Sequence, residues 1–266
     1  MSKVADCIYC GGESRSWCVD STGILECSSC GAVYKNPMPT DAQLEDMYKE
    51  YYSESNIDGS TTQMLSSQAS TKNHGKFIEK MLKPGMRVLD YGAGTGDLVE
   101  ALKSSNCTID GVEFSKEAIK VARDRYDLNF FSSLDDLMEK SYEYDLILCV
   151  EVVEHLAEPG QVLKALSQLL KPGGEIYITT PNRNGLQSRL KKCNWKEAIK
   201  PFHLVLFNYK YLKKLLVENG YVSVSYLRFS PLTSDSLIKK IIHRVLQLLG
   251  VYGGLRVLAR RGIEKV

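Results

Sequence analysis

The sequence lacks any long apolar run. Nowhere does it reach the ~18–20 consecutive apolar residues that a membrane-spanning helix needs. Its first residues, MSKVADCIYC, also lack the apolar stretch of a secretory signal. We therefore expect a cytoplasmic protein, and peripheral contact with the inner membrane surface stays open.

Positive charge is scarce at one end of the chain and abundant at the other. Residues 1–36 contain three cations, Lys3, Arg15 and Lys35, so we do not expect this region to bind nucleic acid. Residues 183–266 carry 17 Lys and Arg against 4 Asp and Glu, although the net charge of the whole chain is only +2. This asymmetry indicates an anionic partner, unless it marks only a solvated basic face.

Four of the eight cysteines form two tight pairs near the start of the chain. Cys7 and Cys10 are separated by two residues, as are Cys27 and Cys30. In a chain without a secretory signal, such pairs favour metal or redox chemistry over structural disulfides. The spacing is typical of a four-thiolate zinc site, and a redox dithiol is the alternative. Because four thiolates leave no open coordination position, we expect the zinc ion to be structural.

From residue 87 onward, short apolar runs alternate with amphipathic segments. Strand candidates are RVLDY, TIDGVEF, LNFF, YDLILCV, GEIYITT, YVSVSYLRF and LRVLAR, with helical patterns between the first five. Such alternation predicts an α/β fold with a mostly parallel sheet that is covered on both faces. A ligand is then expected at the carboxyl ends of the strands.

The first of these strands runs into a glycine-rich turn, VLDYGAGTGD. Glycine at 92, 94 and 96 lets the backbone turn tightly beside a ligand. The dinucleotide fingerprint G-x-G-x-x-G is missing, since Asp97 stands where its last glycine is needed. Glu113 ends the next strand, where an acid can accept hydrogen bonds from both hydroxyls of a ribose. Its neighbour Phe114 is expected to lie against a purine.

Five motifs together resemble the class I S-adenosylmethionine-dependent methyltransferases. They are VLDYGAGTGD, GVEFS, YDLILCVEVVEHL, LKPGGEIYITTPN and HLVLFNYKYLKKLLVENGY, within about residues 72–230. The E-V-x-E-H pattern is similar to the branch that includes quinone and sugar methyltransferases, and the paired cysteines resemble members with a zinc knuckle. The resemblance implies a Rossmann-like seven-stranded sheet whose last two strands are antiparallel.

The resemblance also implies a division of the chain and a set of cofactor contacts. We expect a zinc-ribbon module at 1–40, a helical lid or linker at 41–80 and the methyltransferase domain at 81–266. Implied contacts to S-adenosylmethionine fall on the glycine-rich turn, on the ribose-binding acid, at the adenine, and after the fourth strand near the sulfonium. The residues concerned are Asp90, Gly92, Gly94 and Gly96, then Glu113 and Phe114, then Ser133 and Leu134, and finally Val150 and Glu151.

A general base for an oxygen or nitrogen acceptor is sought among the four histidines. His203 lies in the segment that lines the acceptor pocket in the family, and His155 follows the fourth strand. Either histidine is also consistent with a packed core residue. Arg183, Lys191, Lys192 and Lys196 add positive charge that can hold a phosphate, or else form a solvated loop.

The resulting prediction is an S-adenosylmethionine-dependent O-methyltransferase with a zinc-knuckle cap. We expect a small or carrier-linked anionic acceptor such as a sugar or glycan precursor. The alternatives are a quinone or lipid-like phenol, RNA, or a non-catalytic cofactor-binding scaffold. Residues 234–249 form an amphipathic pattern that is expected to pack on the last strand pair or to lie on a membrane surface.

Overall fold

The structure, a computed structural model, describes residues 4–17, 23–51, 74–228 and 237–263. Its contacts divide the chain into two units. The first unit comprises Met1–Thr40, Val150–Ser167 and Ile178–Gly262, and the second comprises Asp41–Cys149, Gln168–Tyr177 and Ile263–Val266. The division at residues 40 and 80 expected from the sequence stays a prediction.

The first unit contains a small sheet at the N-terminus. Its strands β1 (Ala5–Asp6), β2 (Glu13–Ser16), β3 (Ile24–Cys27) and β4 (Val33–Lys35) pair in sequence order, each antiparallel to the next. A two-residue strand from much later in the chain, β9 (Val205–Leu206), pairs antiparallel with β4 and completes the sheet.

The larger sheet has six strands in the described part of the chain. They are β5 (Arg87–Tyr91), β6 (Thr108–Val112), β7 (Tyr144–Val150), β8 (Leu170–Pro181), β10 (Tyr221–Tyr226) and β11 (Gly254–Arg261). The strand order is β10-β11-β8-β7-β5-β6. Strand β5 is parallel to both β6 and β7, whereas β10 and β11 are antiparallel. The expected Rossmann-like mixed sheet with an antiparallel last pair is therefore confirmed.

The strand expected at LNFF is reduced to one parallel bridge between Val112 and Phe131. Phe131 donates to the Gly111 carbonyl at 2.9 Å, and its own carbonyl accepts from the Glu113 amide at 3.0 Å. The chain then turns, because the Ser133 side chain accepts a hydrogen bond from the Asp136 amide and caps a helix. Pairing stops where this cap begins.

Helices occur in each of the four intervals between the first five strand candidates, as predicted, and elsewhere in the described chain. They are α1 (Asp41–Tyr51), α2 (Asp97–Leu102), α3 (Lys116–Tyr126), α4 (Leu134–Met138), α5 (Pro159–Leu169), α6 (Leu186–Lys191), α7 (Lys196–Ile199), α8 (Tyr209–Glu218) and α9 (Leu237–Leu248), with a further helical stretch over 74–78. Side chains at Ser115 and Asn208 accept hydrogen bonds from backbone amides and cap α3 and α8.

Helix α9 differs from the packing expected for residues 234–249, of which 234–236 lie outside the described residues. Its apolar side chains are largely exposed, at positions 237, 238, 241, 242, 245 and 248, whereas Gln247 is only 1% exposed. The helix thus buries a polar residue and leaves an apolar stripe uncovered. No helix in the part of the chain that the structure describes is long and apolar enough to cross a membrane.

Candidate active site and zinc centre

The glycine-rich turn of the second unit is tied to the acid at the end of β6. Glu113 Oε2 accepts a hydrogen bond from the Gly94 amide, and Oε1 accepts from the amides of Phe114 and Ser115, each at 2.8 Å. Burial raises the pKa of the Glu113 carboxyl, and the three amides oppose the shift. With about four acceptor positions on a carboxylate, the arrangement leaves room on Oε2 for one further donor.

The three glycines of this turn have backbone conformations that other residues rarely adopt. Gly92, Gly94 and Gly96 have φ angles of 78°, 54° and 83°. At Gly96, an added Cβ would crowd Leu128 Cδ1 at 2.8 Å and Ala122 Cβ at 3.3 Å, and the positive φ angle would strain any other residue there. The Asp97 carboxylate accepts hydrogen bonds from Thr95 Oγ1 at 2.6 Å and from the Tyr126 hydroxyl at 2.7 Å.

Asp90, at the end of β5, is a buried carboxyl with an unusual pKa. It is 2% exposed. Burial, and then repulsion from the Glu113 carboxylate, raises the pKa of Asp90 to about 7. A cationic ligand group nearby would favour the ionised form of both acids. S-adenosylmethionine carries an ammonium and a sulfonium, so the buried acids and the open turn fit this cofactor.

The residues expected around the adenine ring follow β6 or lie at the start of α4. Phe114 is 52% exposed and contacts the Tyr91 ring edge-on, with centroids 5.8 Å apart. The Ser133 hydroxyl oxygen is used to cap α4, where it accepts from Asp136, and Leu134 is the first residue of that helix. Ser133 therefore keeps only its hydroxyl hydrogen and one lone pair for a ligand.

In the first unit, the chain leaves β7 through a strained residue. Glu151 has a φ angle of 57° and directly follows Val150. Its amide donates to the Thr179 carbonyl at 3.0 Å, and its carboxylate accepts from Thr179 Oγ1 at 2.9 Å. These bonds hold Glu151 in a conformation that non-glycine residues seldom adopt.

Two histidines and one acid lie together just after this turn. His155 Nδ1 donates to the Phe202 carbonyl at 2.9 Å, so Nε2 is the acceptor of the neutral ring. That Nε2 lies 3.9 Å from Glu154 Oε1, and the His155 and His203 rings meet edge-on with centroids 4.9 Å apart. The donor atoms of all three side chains lie within 4.8 Å of one another, a set that a divalent metal ion can also use.

Burial disfavours the charged forms of these three side chains. It lowers the pKa of His155 to about 4 and the pKa of His203 to about 2, and it raises the pKa of Glu154 well above its usual value. Both imidazoles are therefore unprotonated near neutral pH. His203 is 3% exposed, whereas the His155 side chain is 19% exposed, so His155 is the more accessible acceptor of a proton.

The four paired cysteines converge as the sequence predicts. Cys7 Sγ lies 3.8 Å from Cys30 Sγ, and Cys10 Sγ lies 3.6 Å from Cys27 Sγ. A tetrahedral ion with ~2.3 Å bonds to sulfur places its ligands about 3.8 Å apart. Each pair closes a similar turn, in which Gly11 donates to the Cys7 carbonyl and Gly31 donates to the Cys27 carbonyl. The cluster fits a structural zinc ion.

Strand β4, next to this cluster, is bonded to the segment that carries His203. Besides the β4–β9 pairing, the Lys35 amide donates to the Leu204 carbonyl at 2.9 Å, and Lys35 Nζ donates to the Lys200 carbonyl at 2.6 Å. Beneath these bonds, one buried apolar cluster joins both segments through Ile24, Val33, Trp195, Ala198 and Leu206. The zinc module thus holds the chain on either side of His203.

The same unit contains a pocket of about 220 Å³, here called the cationic pocket. Two of its lining residues, Trp17 and Glu26, come from the N-terminal sheet region. The others follow β8, namely Arg183, Asn184, Ser188, Arg189 and Lys192. Arg183 and Lys192 were expected to contribute charge near the acceptor, whereas Lys191 and Lys196 do not line the pocket.

Sequence reasoning missed several features of these sites. Glu154 is the second acid of the E-V-x-E-H pattern and was not predicted as a site residue. Its position next to His155 in the sequence could have indicated a shared site. Trp17, one of only two tryptophans, lies inside the cysteine spacing and was also a usable indication. Cys193 is disulfide-bonded. It lies outside the two cysteine pairs, whose four thiols are free.

Comparison with known proteins identifies the family. Residues 68–226 match the family described as "Methyltransferase domain". The "Ubiquinone biosynthesis O-methyltransferase" of Thiobacillus denitrificans is 36% identical over 107 residues, which cover 38% of this chain and 46% of that protein. The protein of the same name from Vibrio atlanticus is 30% identical over 176 residues, covering 64% of this chain and 66% of the relative. The chain thus spans about half to two thirds of these relatives.

Solved structures share the fold at low sequence identity. An S-adenosylmethionine-dependent methyltransferase from Archaeoglobus fulgidus aligns with a TM-score of 0.56 at 20% identity, covering 73% of this chain and 94% of that one. A possible histamine N-methyltransferase from Thermotoga maritima aligns with a TM-score of 0.58 at 18% identity, covering 82% and 99%. Because the family match spans more than half of the chain, the protein belongs to the S-adenosylmethionine-dependent methyltransferase family.

Proposed function

We propose that the protein transfers a methyl group to a hydroxyl oxygen of a quinone-type phenol. The observation that carries this proposal is the similarity to relatives named for O-methylation in ubiquinone biosynthesis. It favours a phenol over the phosphorylated sugar expected from the charge distribution. His155 and His203, whose pKa values burial lowers to about 4 and about 2, also suit an acceptor that has no charge of its own.

The cofactor is proposed to be held by the residues that the sequence indicates. Asp90 and the glycine turn would hold the methionine part, Glu113 the ribose, Phe114 the purine face, and Ser133 with Leu134 the adenine edge. Val150 and Glu151 are proposed to lie near the sulfonium. Bound there, S-adenosylmethionine supplies an already activated methyl group, so the protein's main task is to align the acceptor oxygen.

His155 is proposed to take the proton from the acceptor hydroxyl. Its Nδ1 is fixed by the Phe202 carbonyl, so the proton would be accepted at Nε2. Burial lowers the pKa of His155 to about 4, so the ring is unprotonated near pH 7. His203 is proposed as a second base candidate, although its burial suits a role in positioning the His155 ring.

Contact with a membrane surface is proposed for helix α9. Seven exposed apolar residues lie on one side of the helix and the residue after it, Leu237, Ile238, Ile241, Ile242, Val245, Leu248 and Leu249. Arg244 and Lys240 lie along one edge of this stripe by helical spacing. An apolar stripe with a basic edge suits an anionic lipid surface, where a quinone precursor with a lipid tail would be found.

The acceptor class is tested by methyl transfer from labelled cofactor into three fractions of a cell extract, namely extracted lipids, water-soluble phosphorylated sugars and RNA. Label in an alkali-stable aryl ether from the lipid fraction is the expected result. Label only in the sugar fraction would reject the phenol. Cofactor binding without labelling in any fraction, RNA included, would instead favour a non-catalytic scaffold. The Gly96→Val variant serves as the inactive control, because a β-branched residue is strained at the φ angle of 83° and would crowd Leu128.

A further inference from the structure

The cationic pocket is formed entirely within the first unit and has an excess of positive charge. Arg183, Arg189 and Lys192 face it together with one carboxylate, Glu26. Arg183 Nη1 pairs with Glu26 Oε1 at 2.7 Å. Arg189 and Lys192 have no ion-pair partner among the described residues, so two positive charges remain available to a ligand.

Two buried donors of the pocket have no hydrogen-bond partner in the described part of the chain. They are Arg183 Nε and Ser188 Oγ, and Ser188 is only 1% exposed. Buried donors without acceptors are rare in folded proteins because desolvating them is unfavourable. Arg183 and Ser188 both line the pocket, and a guanidinium suits phosphate oxygens in particular.

The backbone also holds one of the free cations in an uncommon conformation. Lys192 has a φ angle of 44°, in the region that favours glycine. Such conformations are maintained only where the surrounding structure imposes them, and they cluster at ligand sites. Lys192 caps the end of α6 and begins the short helical turn Lys192–Asn194, so both elements determine where its side chain starts.

Trp17 adds an aromatic wall. Its indole packs against the buried cluster of Ile24, Val33, Trp195, Ala198 and Leu206 on one side, and it also lines the pocket. At about 220 Å³, the pocket is smaller than the ~300–1,000 Å³ that encloses a whole drug-sized ligand. It therefore has room for one charged group with part of a ring or chain beside it.

We propose that the cationic pocket binds the phosphate or pyrophosphate group of an organic phosphate, with Trp17 packing against the portion next to that group. The phosphate belongs either to a water-soluble ligand or to a lipid headgroup. The inference goes beyond the proposed phenol methylation and does not depend on it. The ligand is held by the zinc module and the segment after β8 together, so both must be folded for the pocket to exist.

The test is calorimetric titration of the zinc-loaded full-length chain with inorganic pyrophosphate at constant ionic strength. In parallel, flotation compares phosphatidylcholine vesicles with and without phosphatidic acid. The pocket variant is Arg189→Gln with Lys192→Gln, and the matched control is Lys191→Gln with Lys196→Gln. Both variants lose two exposed cations, but only the first pair lines the pocket.

We expect the pocket variant to weaken binding about tenfold or more in at least one arm, while the control changes it less than about twofold. Loss in the pyrophosphate arm identifies a soluble phosphate, and loss only in the vesicle arm identifies a headgroup. Absence of saturable binding in both arms, or equal loss in the two variants, would overturn the proposal. Cofactor affinity is measured on every variant to show that it is properly folded. The single variant Arg189→Gln repeats the test with only one exposed residue replaced.

Discussion

Val33 lies opposite Leu206 in an antiparallel pairing that joins the zinc module to the segment of His203. The two side chains also share one buried apolar cluster. The zinc module therefore supports the segment of His203 in the first unit, whereas the glycine turn and Glu113 belong to the second unit. Changes in the two units should consequently have separable effects on the acceptor and on the cofactor.

Removal of zinc should impair methyl transfer more than cofactor binding. Without the ion, the turns at Cys7 and Cys27 lose their common centre, and β4 no longer anchors β9. We expect Cys27→Ser to lower kcat/KM for the acceptor about tenfold or more, with cofactor affinity changed less than about threefold. Equal loss of both would contradict this role. Cys107→Ser, outside the cluster, is the control.

Replacement of Glu113 should weaken the cofactor specifically. In Glu113→Gln, the side chain keeps its size but offers one fewer acceptor to the amides of Gly94, Phe114 and Ser115. We expect the Kd for S-adenosylmethionine to rise about tenfold or more, since a charge-assisted hydrogen bond is lost. Glu139→Gln, at an exposed position, should leave the Kd unchanged. Unchanged affinity in Glu113→Gln would remove Glu113 from the cofactor site.

Asp90 should make the cofactor-free protein less stable as pH rises. Folding raises the pKa of Asp90 to about 7, so the unfolded chain loses this proton at lower pH than the folded one, and stability falls between about pH 4 and pH 7. Asp90→Asn should remove that slope and stabilise the cofactor-free protein at pH 8 by about 1–3 kcal/mol. Urea unfolding of the wild type and the variant at pH 5 and pH 8 measures this change in stability. A variant less stable than wild type at pH 8 would refute the assignment.

The histidine cluster should make the protein less stable as pH falls. Folding lowers the pKa of His155 to about 4, so the unfolded chain takes up this proton first and stability falls as pH drops from about 6.5 to about 4. His155→Gln should flatten this part of the profile, measured by urea unfolding across that range, and abolish most methyl transfer. His243→Gln is the control, and an unchanged acid slope in His155→Gln would show that the ring is not held neutral by the fold.

Helix α9 should bind anionic vesicles through its apolar stripe. The Ile238→Lys and Ile241→Lys double variant places charge on two residues that are 70% and 56% exposed. We expect it to reduce flotation with phosphatidylserine vesicles strongly, since burial of apolar area is lost while the positive charge of the chain increases. Val217→Lys, 53% exposed on α8, is the matched control. Undiminished flotation of the double variant would reject α9 as the contact.

The parts of the molecule that the sequence predicts are those determined by neighbouring residues. Strands β5 and β7 occur where RVLDY and YDLILCV were expected, because their apolar runs are local features of the chain. The four cysteines of the zinc site were found for the same reason. The cationic pocket was not predictable in full, because Trp17 and Arg189 are far apart in sequence. They are brought together by long-range contacts such as the pairing of β4 with β9, a two-residue strand that has no periodicity of its own. The exposure of α9 also depends on tertiary packing.

The pairing of Val33 with Leu206 has a further consequence for the order of events during synthesis. The two cysteine turns and strands β1 to β4 are local in sequence, so they can form around zinc soon after they leave the ribosome. Strand β9 emerges much later, and it then meets an edge that is already ordered. Closing a long loop onto a preformed template is less costly than ordering both partners at once. The metal would thus act first as a folding nucleus, before any acceptor is present.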